Sequence, residues 1–404
     1  MCFVDAHYHQ PTLAMLIPTF AQAADVKVKI VNDERFQRQE LVEIDVKDVR
    51  AKLGIADDET FVVKNGMRQQ VDYQITHDGK LLIDAAVKPC GTTTYTIVKG
   101  TPEPMRRWVD GNRFPTRKDD IGWENDRGAY RVYGPPLQKS GERSFGTDVW
   151  TKNSPELDMR DRYYIDYDGN VRGYELGNGR KDDYTHLHTS FHLDHGRGLD
   201  CYGVGPSLGC GAPALMDGDK LIFPYCYKTY KILDNGPLRF TVELTYNPTK
   251  IKNDEGVVEH RIISLDKGSN FNKMVVWYTG LTQPCDFASG VVVHTADTES
   301  VVIGKNYVQY ADPTEAPDKY GFQIYVAALF PEGAKCKKLF YDKPDGAIAG
   351  HAVGVVKNLK NNQRYTYYFG SAWSCYDVRN QEEWQLRINS FMNALESPLK
   401  FTIE

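Results

Sequence analysis

The chain has 404 residues, 41% hydrophobic and 25% charged, with 49 basic against 54 acidic side chains and a formal charge of −5. That balance excludes wholesale disorder, a collagen-like repeat and a bundle of membrane helices, and a net-acidic chain gives nucleic acid no electrostatic reason to bind. An aromatic share of 12% favours sheets, and exposed rings also stack on the apolar faces of sugars.

Residues Thr12 to Ala23 form a short apolar run ending in the small-x-small triplet Ala21-Gln22-Ala23. It reads as the end of a secretory signal, so residues 1–24 are expected to be a leader remnant and the protein to be exported, periplasmic or secreted. No Lys or Arg precedes the run, a departure from the usual signal. A bilayer span needs about 20 apolar residues. This run is too short, and no later segment qualifies, so no integral membrane segment is expected.

From Asp25 to Gly100, apolar residues alternate with polar ones at Val26, Val28 and Ile30, at Val42, Ile44 and Val46, and at Val71, Tyr73 and Ile75. Period two means one buried and one wet face. Asn65-Gly66 and Asp78-Gly79 mark turns, and Val49 to Leu53 fits one helical turn. Residues 25–100 thus read as a small immunoglobulin-like β-sandwich. Gly100 to Met105 holds two prolines and reads as a linker. Strands dominate residues 101–404, which read as a large antiparallel β-sandwich. Trp384, Ile388, Phe391, Met392 and Leu395 recur at helical spacing across Gln381 to Glu396, Ser397-Pro398 stops that helix, and Leu399, Phe401 and Ile403 form a closing strand. The fold class is all-β with one late helix.

Chemistry is concentrated between His186 and His195, where four of the ten histidines fall. As a strand, this segment would bury Leu187, Phe191 and Leu193 and present His186, His188, His192 and Asp194 on the other face. Imidazoles suit proton transfer near neutrality or metal ligation. His186 and His188 would lie about 7 Å apart at Cα, close enough to share one ion. No cofactor is required by any motif. A divalent metal held by the His-x-His pair, or by His192 with Asp194, stays open alongside a cleft-lining face and a merely solvated one.

The glycine-rich stretch from Gly196 to Gly211 follows, carrying Arg197, Asp200 and Tyr202. Glycines allow close backbone approach. The spacing matches neither GxGxxG nor a phosphate loop. Arg197 could face a sugar carboxylate or form a structural pair with Asp200. Trp123, Asn125, Asp126, Tyr130 and Arg131, then Trp150 and Lys152, place rings, amides and charges densely enough for a sugar cleft, with an aromatic core as the plain alternative. Trp373 in Gly370 to Ser374 is a similar candidate. Asp166 to Asn170 begins like a calcium loop but has Val171 where glycine belongs, and reads instead as an Asp-Gly turn. The eight cysteines include no CxxC pair and no pairing is assigned.

At WENDRGAYRVYGP (Trp123 to Pro135), DVWTK (Asp148 to Lys152), HLDHGRGLDCYGVGPSLGCG (His192 to Gly211) and GSAWS (Gly370 to Ser374) the sequence resembles an exported bacterial family defined by domain of unknown function 4861. The resemblance implies a galactose-mutarotase-like β-supersandwich over the large domain and a setting in the breakdown of uronate-rich glycans. No residue roles come with it. The local chemistry leads to lyase-type β-elimination on a uronate oligosaccharide or polysaccharide, with His188 or His192 as base, Arg197 or Arg131 on the carboxylate, and Tyr130 or Tyr202 as acid. A glycoside hydrolase or epimerase, or a non-catalytic glycan-binding protein, would use many of the same residues.

Overall fold

The computed structural model describes residues 25–175, 188–222, 224–295, 299–313 and 322–404. The leader expected at 1–24 and His186 lie outside the described residues. The fold is all-β. Val26–Asn32 pairs with Gly91–Lys99, which also takes Phe61–Lys64, and this sheet faces a second made of Arg38–Asp45, Lys80–Val87 and Tyr73–Ile75. Alternation drives the packing: Val28 and Ile30 from one sheet meet Ile44 and Ile83 from the other in a core that water does not reach. The expected helical turn is the helix Val46–Leu53, ended by Gly54 at φ 65°. The closing strand Lys400–Ile403 joins this N-terminal sheet, with Ile403 opposite Val28.

Among the described residues the large domain stacks a five-stranded sheet on a nine-stranded one. Cys285–Val293 lies at the centre of the first, between Cys210–Asp217 and Ile348–Leu359, and Phe271–Thr279 and Tyr365–Trp373 lie at the centre of the second. Their inner faces share one apolar core, which includes Phe240, Phe287, Val291 and Tyr367.

A four-stranded antiparallel sheet of Val109–Phe114, Asp120–Asn125, Ala129–Val132 and Asp148–Trp150 closes one end. Its two faces have different fates. Ile121, Trp123, Tyr130, Val132 and Val149 point into the main core. Ala129 and Trp150 form a separate cluster with Phe114, Met159, Tyr163 and Phe191. Gly122 makes that second face possible, since a Cβ there would lie 2.6 Å from the Met159 sulfur. Met159 and Tyr163 come from the helix Met159–Glu175, which corrects the Asp-Gly turn expected at 166–170. Tertiary packing overrides the turn propensity here: Tyr163 packs on Trp150 at 4.8 Å, and at Gly169 any side chain would collide with Thr189.

The late helix is Gln381–Glu396, capped by the Asn380 side chain, which accepts from the Glu383 amide at 2.8 Å. Its Trp384 is fully buried and stacks on Phe271 with ring centroids 5.1 Å apart. Trp384→Ala is expected to cost about 3–5 kcal/mol, read as a lowered urea midpoint at unchanged slope. A change under about 1 kcal/mol would mean that the helix adds little to the core.

Candidate functional site

The strand expected over 186–194 is corrected by the structure. Residues 188–189 form a helical turn and 190–195 an irregular loop. Ser190 and Phe191, adjacent in sequence, are both buried, which a strand with one wet face would not allow. Phe191 packs on Trp150 with centroids 4.6 Å apart, and that contact sets the path of the loop. His192 therefore parts from His188 and His195, which line one small cavity with Arg162 and Arg197. The His195 ring approaches the Ser190 carbonyl at 2.9 Å through Nε2. Asp194 accepts from the amides of Gly196, Arg197 and Gly198 and so shapes the turn. Arg197 is exposed and faces Asp161 at 3.9 Å.

That second face of the four-stranded sheet also carries a buried ionic cluster. Asp148 lies opposite Arg131 in antiparallel register, and directly opposed residues share a face. On the other side Arg131 faces Gly122, and Asp120 on the same strand as Gly122 reaches Arg131 as well. The bridge between Trp150 and Asp200 brings in a third carboxylate. Arg131 Nη2 lies 2.5 Å from Asp148 and 2.8 Å from Asp200, and Nη1 lies 3.6 Å from Asp120. The guanidinium also faces the rings of Tyr133 and Trp150 at 4.9 and 5.2 Å.

One buried cation among three carboxylates leaves an excess of negative charge, which protons relieve. Burial pushes Asp148 up to about 8 against the pull of Arg131, with Asp200 adding to the rise. Burial likewise pushes Asp120 up to about 6 against Arg131 and Arg117. The folded protein thus retains protons that the unfolded chain has released. Stability from this cluster is full at low pH and is lost as pH rises from 3.8 through about 8. The thermal midpoint of the native protein is expected to fall relative to that of Asp148→Asn across this window. Parallel curves for the two proteins would refute the assignment.

Above the cluster opens a cleft of about 340 Å³ lined by Arg117, Arg131, His192, Asp200 and Tyr202, with Glu142 at its wall. Three residues of its lining keep hydrogen-bonding capacity that the described residues do not use. The Arg117 guanidinium lies 6.0 Å from the Phe191 ring and makes no ion pair among the described residues. The Tyr202 hydroxyl is buried without a hydrogen-bond partner among them, and burial raises its pKa, so it stays protonated. His192 Nδ1 lies 2.9 Å from the Asp200 carbonyl and 3.5 Å from the Asp200 carboxylate. A carbonyl can only accept, so Nδ1 carries the hydrogen, and in the neutral ring Nε2 then presents a lone pair.

His294 supports the cleft wall from behind. Its Nδ1 is 2.8 Å from Asp312, its Nε2 is 2.6 Å from the Gly203 carbonyl, and its ring packs edge-on to Tyr202. Both nitrogens meet acceptors, which favours the doubly protonated ring. Burial opposes that charge, but Asp312 and the Gly203 carbonyl outweigh it and raise the pKa.

Several candidate residues belong to the interior, which corrects their expected contact with sugar. Trp123 is buried, donates to Asn272 at 2.7 Å and packs on Phe240. Tyr130 is buried, donates to the Asn270 carbonyl at 2.9 Å and accepts from the Ser371 amide, so it cannot serve as an acid. Asn125 holds the backbone of Asp266 and Ser269. Trp150 forms the floor behind Arg131, and Lys152 pairs with buried Glu124. Trp373 is buried against Phe322. Asp126 accepts from the Gly268 amide at 2.6 Å, away from the cleft. Sequence reading missed Arg117, Asp120, Glu142 and His294. None lies in a dense motif, and sheet pairing or loop closure alone brings them in. Among the described residues no three His, Cys, Asp or Glu side chains gather where a metal ion could be held.

A family model described as domain of unknown function 4861 matches residues 30–401. A curated relative, uncharacterized protein P7 from Formosa agariphila, is 26% identical over 344 residues, covering 80% of this chain and 78% of that protein. Among solved structures, a protein in the glycosyl hydrolase family 38 from Enterococcus faecalis aligns with a TM-score of 0.50 at 7% identity, covering 94% of this chain and 47% of that one. An α-mannosidase from the same species aligns at 0.44 with 9% identity, over 94% of this chain and 46% of that one. The chain thus spans about half the length of these two structures, and the likeness to the first is one of fold.

Proposed function

The chain belongs to the family defined by domain of unknown function 4861, and from that premise and the chemistry of the cleft we propose that it processes uronate-containing oligosaccharides or polysaccharides by lyase-type β-elimination, outside the cytoplasm. The observation that carries this reading is His192, whose Nδ1–H is committed to the Asp200 carbonyl at 2.9 Å while Nε2 opens to a cleft shared with Arg117 and Tyr202. Nε2 takes the proton beside the sugar carboxylate, and the electron pair of the broken C–H bond becomes the new C=C bond. Arg117 pairs with the carboxylate and stabilises the enolate-like intermediate. The Tyr202 hydroxyl donates its proton to the departing glycosidic oxygen as the C–O bond breaks. Arg131 is bound to its carboxylates and acts by holding Asp200, and through it His192, in place.

The fold shared with a glycosyl hydrolase family 38 protein makes a saccharide a sensible first ligand, although one fold serves many reactions. A hydrolase would need accessible carboxylates. Here Asp120, Asp148 and Asp200 are buried while Glu142 at the cleft wall is exposed, so the products separate hydrolysis from elimination. Pectin, ulvan and arabinogalactan oligosaccharides should be incubated with the full chain and followed by ultraviolet absorbance and mass spectrometry. An unsaturated uronate product with no added water is expected. Products heavier by water would establish a hydrolase instead. Unchanged saccharides across the panel would establish a binding protein or an unrelated chemistry.

A further inference from the structure

A second concavity, of about 490 Å³, lies where the N-terminal sandwich meets the late helix and the turns at Asp126 and Lys267. It runs on into a cavity of about 290 Å³, the two sharing Glu40, Lys267 and Phe391. Together they have the extent of a groove for a chain-like ligand. Most ionic groups along it are already matched: Glu40 by Arg38 Nε at 2.5 Å, Asp84 by Lys267 at 2.6 Å, and Arg127 by Asp377 at 2.9 Å. Glu34 and Asp126 stand in the lining as well.

Among the described residues, one cation of the lining, Arg387, is left without an ion pair, and one guanidinium nitrogen, Arg38 Nη2, is left without a hydrogen-bond partner. Arg38 is 7% exposed, and that nitrogen is buried. Burial and then the like charge of Arg127 lower the pKa of Arg387, while Asp377 and Glu383 act the other way. An anion against Arg387 would relieve that repulsion. Beside these cations Phe36 is 55% exposed and Phe391 is half-buried, so both can offer a ring face.

We propose that this groove is a second saccharide-binding site, separate from the His192 cleft, which takes an acidic oligosaccharide with its carboxylate or sulfate against Arg387 and Arg38 and its sugar faces on Phe36 and Phe391. The site requires no turnover, so it goes beyond the reading of the cleft.

The test uses the full chain with the cleft silenced by His192→Gln and Arg117→Gln, titrated calorimetrically with oligogalacturonate, with a sulfated galactan oligosaccharide and with a neutral galactan oligosaccharide. At least one acidic probe is expected to bind, and the stronger of the two identifies the anionic group. Adding Arg387→Gln should weaken that binding at least about ten-fold, the effect of losing a charge-assisted contact. Adding Phe36→Ala, an exposed position that leaves the fold intact, should weaken it as well. Absence of binding by both acidic probes, or undiminished affinity in both added variants, would overturn the proposal. Equal affinity for the neutral oligosaccharide would also overturn it. The cleft is judged separately by product formation in the native chain, so either proposal can fail alone.

Discussion

His192→Gln is expected to lower turnover of a uronate oligosaccharide by about 10²–10⁴-fold, the usual contribution of a positioned general base. Glutamine keeps a donor near the Asp200 carbonyl, which now holds Nδ1 at 2.9 Å, but offers no lone pair of comparable basicity at Nε2. The His192 side chain is 53% exposed, so the substitution should leave the thermal midpoint within about 0.5 kcal/mol equivalent of the native protein. The loss should fall on kcat, because the proton is transferred in the transition state and not on binding. His188→Gln and His195→Gln, lying outside the cleft, should retain most activity. If His188→Gln abolished turnover and His192→Gln did not, the base would have to be reassigned.

Arg131→Met should destabilise the fold by about 3–5 kcal/mol, the cost of stripping the partner from buried charge. Asp120, Asp148 and Asp200 would be left within one small volume, each at most 4% exposed, with no cation between them. The variant should lose stability more steeply than the native protein as pH rises, since protonation is then the remaining way to neutralise the cluster. Adding Asp148→Asn to Arg131→Met should recover part of the loss, because the two positions share one interaction and their effects are not additive. Urea unfolding at two pH values checks both statements. A loss under about 1 kcal/mol would show that the cluster is hydrated and weakly coupled.

The aromatic motif from Trp123 to Tyr133 shows how a sequence can be rich in the right residue types and still misdirect. Trp123, Tyr130 and Val132 lie on one face of their sheet and fill the main core, whereas Arg131 lies on the other. Alternation within two short strands separated these roles, and the composition of the motif did not. The histidine segment failed for the opposite reason. Its alternation was real as a pattern, but the burial of Ser190 and Phe191 together and the seat of Phe191 on Trp150 hold the backbone in a turn. Of its histidines, His192 alone lines the cleft with Arg117 and Tyr202.

Local physics settled what the chain could settle by itself. The strands of the N-terminal sandwich and the helix Gln381–Glu396 follow from periodic burial and from a capping Asn380, because such signals need only neighbours in sequence. The cleft depended on contacts between distant segments. Asp148 reaches Arg131 through strand register, Asp200 through a bridge to Trp150, Arg117 through a turn after the strand Val109–Phe114, and Tyr202 through the loop that His294 holds. A carboxylate's proton affinity and a guanidinium's availability are set by burial and by which charges stand within a few ångströms. Only the closed tertiary structure fixes either.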